Sequence, residues 1–357
     1  MPEMPTLLTS GVAGLLMAGG SSLANAVADA LRKKAVAGNG AIATAFWFRV
    51  VGVLALMLMW TVYTVMSRGG SGPIAPQIVT VLGPDAHVVA SGRRIAAYLA
   101  ADVALIAVAT ALYFRAVQQS SLSVTVPMLS FTPVFLLPAG FLMLREVPTF
   151  VQIFGVMLVA GGSVLIHRGE LDEQTSKGRF SSLRRLWTAL MHDRGSRMMM
   201  LVALIYSITN PLDKKLAVYY GPYLYTAIYS AATAMILLGW QLLRDARQLR
   251  LTREAWPWAG AAGVTDAISL LLLFLAFHWM PVASTITVKR AGAVVTVLLG
   301  WKFFRETHLA SRLAATCIMI LGVCLLSLSV TLWTVLWIGV LSAVLVISQS
   351  WLHPRRS

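Results

Sequence analysis

Residues 284–306, STITVKRAGAVVTVLLGWKFFRE, form an apolar stretch long enough to cross a lipid bilayer, and two adjacent cations, Lys289 and Arg290, lie well inside it. A charged side chain at that depth costs about 2.5–3.5 kcal/mol by insertion scales. The cost is tolerable only where the charge faces protein, water or a counter-charge rather than lipid. The stretch therefore predicts a membrane helix that lines a cavity, where its cations meet an anionic group.

The whole chain has the composition of a polytopic membrane protein. Of its 357 residues, 58% are hydrophobic and 12% are charged, and the formal net charge is +15. No soluble domain needs so much apolar sequence. No basic patch is interleaved with aromatic residues, so nucleic acid is not an expected partner. We expect the lipid bilayer as the surroundings and the inner membrane of a bacterial cell as the location.

Apolar windows of spanning length predict an all-α bundle of ten helices and an eleventh near the C-terminus. The windows are residues 7–31, 41–66, 95–117, 121–144, 149–167, 197–216, 222–243, 255–279, 282–303, 309–328 and 331–351. The last two cannot be one helix, because residues 309–351 would extend about 64 Å, twice the thickness of the bilayer's hydrocarbon core.

The two halves of the chain are related by a repeat. A shift of 160 positions places Arg145-Glu146 on Arg305-Glu306. A shift of 181 positions places residues 29–34, at the end of the first window, on residues 210–215. The paired Arg-Glu dipeptides follow the fourth and ninth windows, where we interpret them as structural ends of helices.

Each repeat unit holds five predicted helices, an odd number, so the second unit must enter the membrane from the opposite side. Such inverted repeats are typical of secondary transporters, whose binding site lies between the repeats near the bilayer midplane. We predict four regions, which are a first five-helix repeat, a polar basic connection, a second five-helix repeat, and an extra helix with a basic tail. They cover residues 1–167, 168–196, 197–328 and 329–357, respectively.

Several longer motifs carry a family resemblance. They are FWFRV (46–50), YFRAVQQSSLSVTVPML (113–129), FLMLREVPTFVQIFGVMLVAGG (141–162), FHWMPVASTITVKRAG (277–292) and FFRETHLASRLAATCIMILG (303–322). With these motifs the chain resembles the EamA-type drug/metabolite transporters, which have ten helices in two five-helix repeats. Lys289-Arg290 is also similar to the Lys-Arg pair with which the distantly related plastid sugar-phosphate translocators hold phosphate. Leu129 and Ser130 stand at the repeat-related positions, where no further basic residue occurs.

The resemblance implies a secondary transporter that moves a small polar or anionic metabolite by alternating access, with proton-coupled export as one mode. A lipid-phosphate or glycolipid flippase on the same fold is the alternative, and a laterally open groove would favour it. An integral membrane enzyme is a weaker third interpretation, because the sequence has no nucleophile elbow, HExxH motif, P-loop or metal-binding cluster. We therefore expect no enzyme activity, cofactor or metal. The oligomeric state is left open.

Candidate site residues are polar groups inside apolar windows. Those expected to bind substrate are Lys289, Arg290, Arg49, Asn25, Asn210, Thr125 and Thr285. Those expected to carry a proton or form an ion pair are Asp266, Asp102 and Asp29. In the competing structural interpretation, Lys289 and Arg290 pair with Asp102 or Asp266 as buried links between helices.

The direction of insertion is not decided by the sequence. Counting the cations of the predicted loops places the N-terminus outside and the C-terminal tail in the cytoplasm. That count assigns Arg32, Lys33 and Lys34 to the first loop and Lys214 and Lys215 to the sixth. The family pattern places the N-terminus in the cytoplasm instead.

Overall fold

The computed structural model describes residues 4–68, 92–120, 125–166, 194–245 and 249–292, together with the isolated residues 295, 318, 321, 322 and 325. Helices are the only regular secondary structure among the described residues. The α helices are α1 (Met4–Val36), α2 (Ala41–Arg68), α3 (Gly92–Gln119), α4 (Thr132–Leu144), α5 (Phe150–Ile166), α6 (Arg194–Tyr220), α7 (Pro222–Asp245), α8 (Trp256–Ala276) and α9 (Val282–Ala291).

Each of the first nine predicted windows overlaps one of these helices. Most of the tenth window, all of the eleventh, most of residues 293–303 and the connections 69–91 and 167–193 lie outside the described residues. The fourth window is shorter than predicted, because a 3-10 turn, Val126–Phe131, precedes α4. Pro127 and Pro133 explain this start, since each lacks the N–H group that an α helix would use there.

Five of the helices, α1, α2, α3, α7 and α8, are long and apolar enough to cross a membrane. Large apolar side chains on their outer faces are exposed, as lipid contact requires; Leu58 is 65% exposed and Met235 is 73% exposed. An all-α, multi-pass membrane fold is therefore confirmed for this part of the chain.

Helices that the repeat shifts make equivalent have equivalent packing partners. α1 packs mainly against α8, and its counterpart α6 packs against α3, the counterpart of α8. Lys33 Nζ donates to the carbonyl oxygen of Ser120 at 2.7 Å. Lys214 Nζ donates to the carbonyl oxygen of Met280 at 3.1 Å. Because shifts of 181 and 160 relate the two lysines and the two carbonyls, equivalent lysines anchor equivalent helix ends. The boundaries of the four predicted regions stay a prediction.

The turn after α4 links three helices, in line with the structural interpretation of Arg145-Glu146. Arg145 has a left-handed φ of 59° and ends α4. Glu146 Oε2 accepts a hydrogen bond from the Val282 N–H at the start of α9, at 2.9 Å, and Oε1 accepts one from Lys214 Nζ at 2.7 Å. The carboxylate thus satisfies one of the unpaired N–H groups of the first turn of α9.

A close crossing of α2 and α8 brings polar residues together. A Cβ atom on Gly263 would lie 2.5 Å from the carbonyl oxygen of Phe48, and one on Gly52 would lie 3.3 Å from the carbonyl oxygen of Gly263. Only glycine therefore fits at Gly263. Arg49 and Asp266 lie one turn away from this crossing, on facing sides of the two helices.

The charge count used for orientation needs a correction. Arg32, Lys33 and Lys34 lie within α1, and Lys214 and Lys215 lie within α6, rather than in loops. Arg32 is buried, with 7% of its surface exposed. The sequence predicts them in loops because each cluster follows an apolar run, as the cations that flank a membrane helix usually do. Without these five cations the count still favours an external N-terminus, against the family pattern, so the orientation stays open.

Candidate functional site

A small cavity of about 50 Å³ lies between the two halves of the chain. α1, α2 and α3 line it from the first half, and α6, α7, α8 and α9 line it from the second. Its polar lining consists of Asn25, Arg32, Arg49, Thr110, Tyr113, Tyr206, Asn210, Asp213, Tyr229, Asp266, Lys289 and Arg290. Its apolar lining includes Phe48, Phe114 and Leu270.

Asp266 on α8 joins two arginines in one wall of the cavity. Its Oδ2 accepts a hydrogen bond from Arg49 Nη1 at 2.8 Å, and its Oδ1 accepts one from Arg32 Nη2. The exposed fraction of all three side chains is 8% or less. Asp266 is therefore an ion-pair partner of Arg49, one of the two roles predicted for it.

Asp29 on α1 completes this group from the other side of Arg32. Its Oδ1 accepts hydrogen bonds from Arg32 Nη1 at 2.6 Å and from the Tyr113 hydroxyl at 2.7 Å. Its Oδ2 accepts one from the Asn25 amide at 3.1 Å. Two carboxylates thus meet two guanidinium groups, so the charges of Asp29, Arg32, Arg49 and Asp266 cancel.

Aromatic rings support the guanidinium groups of the cavity. The Arg32 guanidinium lies 4.8 Å from the centre of the Phe48 ring, and the Arg49 guanidinium lies 5.1 Å from both the Phe48 and Tyr229 rings. The Arg290 guanidinium lies 5.4 Å from the Tyr206 ring. Such cation–π contacts stabilise a desolvated cation and fix its position.

Lys289 and Arg290 differ from the other two cations. Among the described residues, neither makes an ion pair with a carboxylate. The Arg290 Nε atom is buried without a hydrogen-bond partner in that part of the chain. The backbone beneath them is held by α1, where the Ser22 hydroxyl donates to the carbonyl oxygen of Lys289 at 3.0 Å. Two cations therefore face the cavity from α9 without a described counter-charge.

A second acidic group lies where α3, α6 and α7 meet. The Tyr225 hydroxyl is 2.8 Å from Asp102 Oδ2 and 2.7 Å from Asp213 Oδ1. Asp213 lines the cavity, whereas Asp102 and Tyr225 lie behind it. All three residues are buried. No described lysine or arginine makes an ion pair with either carboxyl group.

The structure brings most of the predicted site residues together. Lys289, Arg290, Arg49, Asn25, Asn210 and Asp266 all line the cavity. Asp29 and Asp102 lie behind the lining. Thr285 is fully buried and donates to the carbonyl oxygen of Pro281 at 3.0 Å, within its own helix, and Thr125 is also buried away from the lining. We therefore propose no substrate contact for either threonine.

Sequence reasoning missed Arg32, Asp213 and the tyrosines of the cavity. The spacing of Asp29 and Arg32, three residues apart on one helix, was a usable signal for a buried pair. Asp213 precedes two lysines, a pattern that predicts a helix end rather than a site. Nothing in the sequence distinguishes Tyr113 or Tyr225 from other tyrosines of apolar helices. The described residues contain no group of three His, Cys, Asp or Glu side chains that could hold a metal ion.

Three comparisons place this geometry among known proteins. A family model described as the EamA-like transporter family matches residues 12–168 and 194–328. A solved structure titled only as a crystal structure of a protein is similar in fold, with a TM-score of 0.55 and 14% sequence identity, over 91% of this chain and 98% of the other. A search of curated proteins finds no match.

Proposed function

The chain belongs to the EamA-like transporter family and is thus a multi-pass membrane transporter of the drug/metabolite type; from this premise we propose that it moves a small anionic metabolite by alternating access. We further propose the inner membrane of a bacterial cell as its location, and flux measurements decide the direction of transport. The two matched ranges correspond to the two predicted repeats, between which the cavity lies.

The charge balance of the cavity carries this proposal. Asp29 and Asp266 neutralise Arg32 and Arg49, which leaves the cations of Lys289 and Arg290 without a described partner. Two unneutralised cations in a site shielded from water favour an anion strongly, because the low local dielectric strengthens their attraction. A carboxylate or phosphate group on the substrate would supply the missing charge.

Arg290 and Lys289 would contribute to anion binding in different ways. Arg290 presents a planar fork that can donate two parallel hydrogen bonds to a carboxylate or phosphate, and the Tyr206 ring fixes its plane. Lys289 acts as a point charge beside it. Asn25 and Asn210 on α1 and α6 offer amide groups to the polar remainder of the substrate.

The size of the cavity supports alternating access. A space of about 50 Å³ holds only a few water molecules, whereas ligand pockets are typically several hundred Å³. A metabolite can therefore enter only after the helices of the two halves move apart. Binding between the halves would couple substrate contact to that movement.

Paired anionic and neutral ligands test the proposal. We would measure thermal unfolding of the purified full chain with L-glutamate against L-glutamine and with glucose 6-phosphate against glucose. We expect an anion, but not its neutral partner, to stabilise the wild-type protein. Lys289→Gln and Arg290→Gln should each lose that stabilisation. Lys215→Gln is the matched control, because Lys215 lies on α6 against the Tyr98 ring and does not line the cavity.

A neutral or cationic ligand that stabilises the wild type and both cavity variants equally would contradict the proposal. Flux into proteoliposomes then tests transport itself. A fluorescent phospholipid added to the same vesicles tests the flippase alternative, since a lipid phosphate would use the same cations. Translocation of that lipid without flux of any soluble anion would replace our proposal with the alternative.

A further inference from the structure

The side chains of Asp102, Tyr225 and Asp213 form a buried group with two O–H···O contacts. If both carboxyl groups were ionised, only one hydrogen would be available for these two contacts. Tyr225 offers a single hydroxyl hydrogen, and ionised carboxylates only accept. Yet its oxygen lies 2.8 Å from one carboxyl group and 2.7 Å from the other, both ordinary lengths for an O–H···O bond. The second bond therefore needs a hydrogen on Asp102 or Asp213.

The surroundings of the two carboxyl groups also favour a bound proton. Asp102 is fully buried, and its Oδ1 atom has no hydrogen-bond partner among the described residues. Asp29 and Asp266 show the contrast, because each is held by a guanidinium group. Two buried carboxylates that share one hydroxyl and lack a paired cation cannot both stay ionised at low cost.

Asp213 places this group at the edge of the substrate cavity. Asp213 lines the cavity together with Arg49 on α2 and Lys289 on α9. Tyr206 on α6 itself and Tyr229 on α7 line the same space. α4, which also packs against α6, has no titratable residue. Asp266 on α8 is held by its two arginines.

We propose that Asp102, Tyr225 and Asp213 form a proton-binding site that is occupied together with the anionic substrate, so that proton and anion cross the membrane in the same direction. When Asp213 is ionised, it competes with the substrate for the positive charge of Lys289. When it holds a proton, Lys289 is available to the anion. The substrate's negative charge in turn makes loss of the proton less favourable. This inference rests on the proposed function for its substrate.

Infrared spectroscopy of the purified full chain tests the proton site directly. A protonated buried carboxyl group has a C=O stretching band that an ionised carboxylate lacks. We expect this band at neutral pH in the wild type, its loss or shift in Asp102→Asn and Asp213→Asn, and a shift in Tyr225→Phe, which keeps both carboxyl groups. Glu146→Gln is the control and should leave the band unchanged, because Glu146 is paired with Lys214.

The coupling can be tested without knowing the substrate. Lys289→Gln removes the same positive charge that a bound anion would neutralise, so the band should persist to higher pH in this variant than in the wild type. The matched control, Lys215→Gln, should titrate like the wild type.

The outcomes separate this inference from the proposed function. A wild-type spectrum without the band, or a band unchanged in all three site variants, overturns the proton site. Equal titration of the band in Lys289→Gln and the wild type overturns the coupling. If the band behaves as expected but no anion stabilises the protein, the proposed substrate class is wrong and the proton site stands.

Discussion

Asp266 and Lys289 should respond in opposite ways to loss of charge, although both are charged residues of the same cavity. Asp266 offers one oxygen to each of two arginines, with Arg49 at 2.8 Å, and its side chain is only 8% exposed. Water cannot replace it, so Asp266→Asn leaves Arg49 without an ion-pair partner and Arg32 with Asp29 alone. Breaking a buried pair in this way costs about 3–5 kcal/mol of unfolding free energy.

Lys289→Met removes a cation that makes no ion pair with a described carboxylate. Nothing is left unpaired by this change, and part of the roughly 2.5–3.5 kcal/mol cost of placing a charge in the membrane interior is recovered. We therefore expect Lys289→Met to be as stable as the wild type or more stable. The two variants should differ in unfolding free energy by about 3 kcal/mol or more, and only Asp266→Asn should lower the melting temperature.

Thermal unfolding in detergent, followed by tryptophan fluorescence in a chloride buffer, measures both variants. Asp266→Glu serves as the control that keeps the charge. A melting temperature that falls as far in Lys289→Met as in Asp266→Asn would refute the reasoning, because it would mean that Lys289 has a structural counter-charge. The charge balance on which the proposed function rests would then fail as well.

Two further predictions concern the fold around the site. Gly263→Ala should strongly lower the melting temperature and the yield of folded protein, since its Cβ would meet the Phe48 carbonyl oxygen. Gly260→Ala on the same helix has open space and should be neutral or stabilising by up to about 1 kcal/mol. Equal effects of the two substitutions would show that α2 and α8 do not cross closely. Glu146→Gln should cost only about 1 kcal/mol or less in denaturant unfolding, because its pair with Lys214 is partly exposed, and a much larger loss would assign the turn a greater structural role.

The positions of the helices could be predicted, because the lengths of apolar segments and the polar residues between them can be read directly from the sequence. The windows for α2, α3, α7 and α8 end within a few residues of the helices, since each is bounded by a turn or polar residues. The start of α4 was missed because the effect of Pro127 and Pro133 depends on how the backbone enters the membrane region. The helix there begins only after the 3-10 turn.

The site was harder to predict because partners come from distant parts of the chain. Arg49 and Asp266 are 217 positions apart, and their contact depends on the glycines at the crossing of α2 and α8. Asp102 and Tyr225 are 123 positions apart. A sequence shows that Asp102 lies in an apolar helix, but the hydroxyl group that faces it is fixed only by helix packing.

The matching lysines of α1 and α6 have a consequence for how such a carrier would evolve. Lys33 and Lys214 each tie a helix end to a backbone carbonyl, and the repeat relates the two contacts. A carrier that opens to either side of a membrane needs its two forms to be close in free energy, and duplicated anchors provide that balance from the start. Replacing one lysine alone would lower the stability of one form relative to the other. A single substitution would then change the side of the membrane to which the resting protein is open, without altering what it binds.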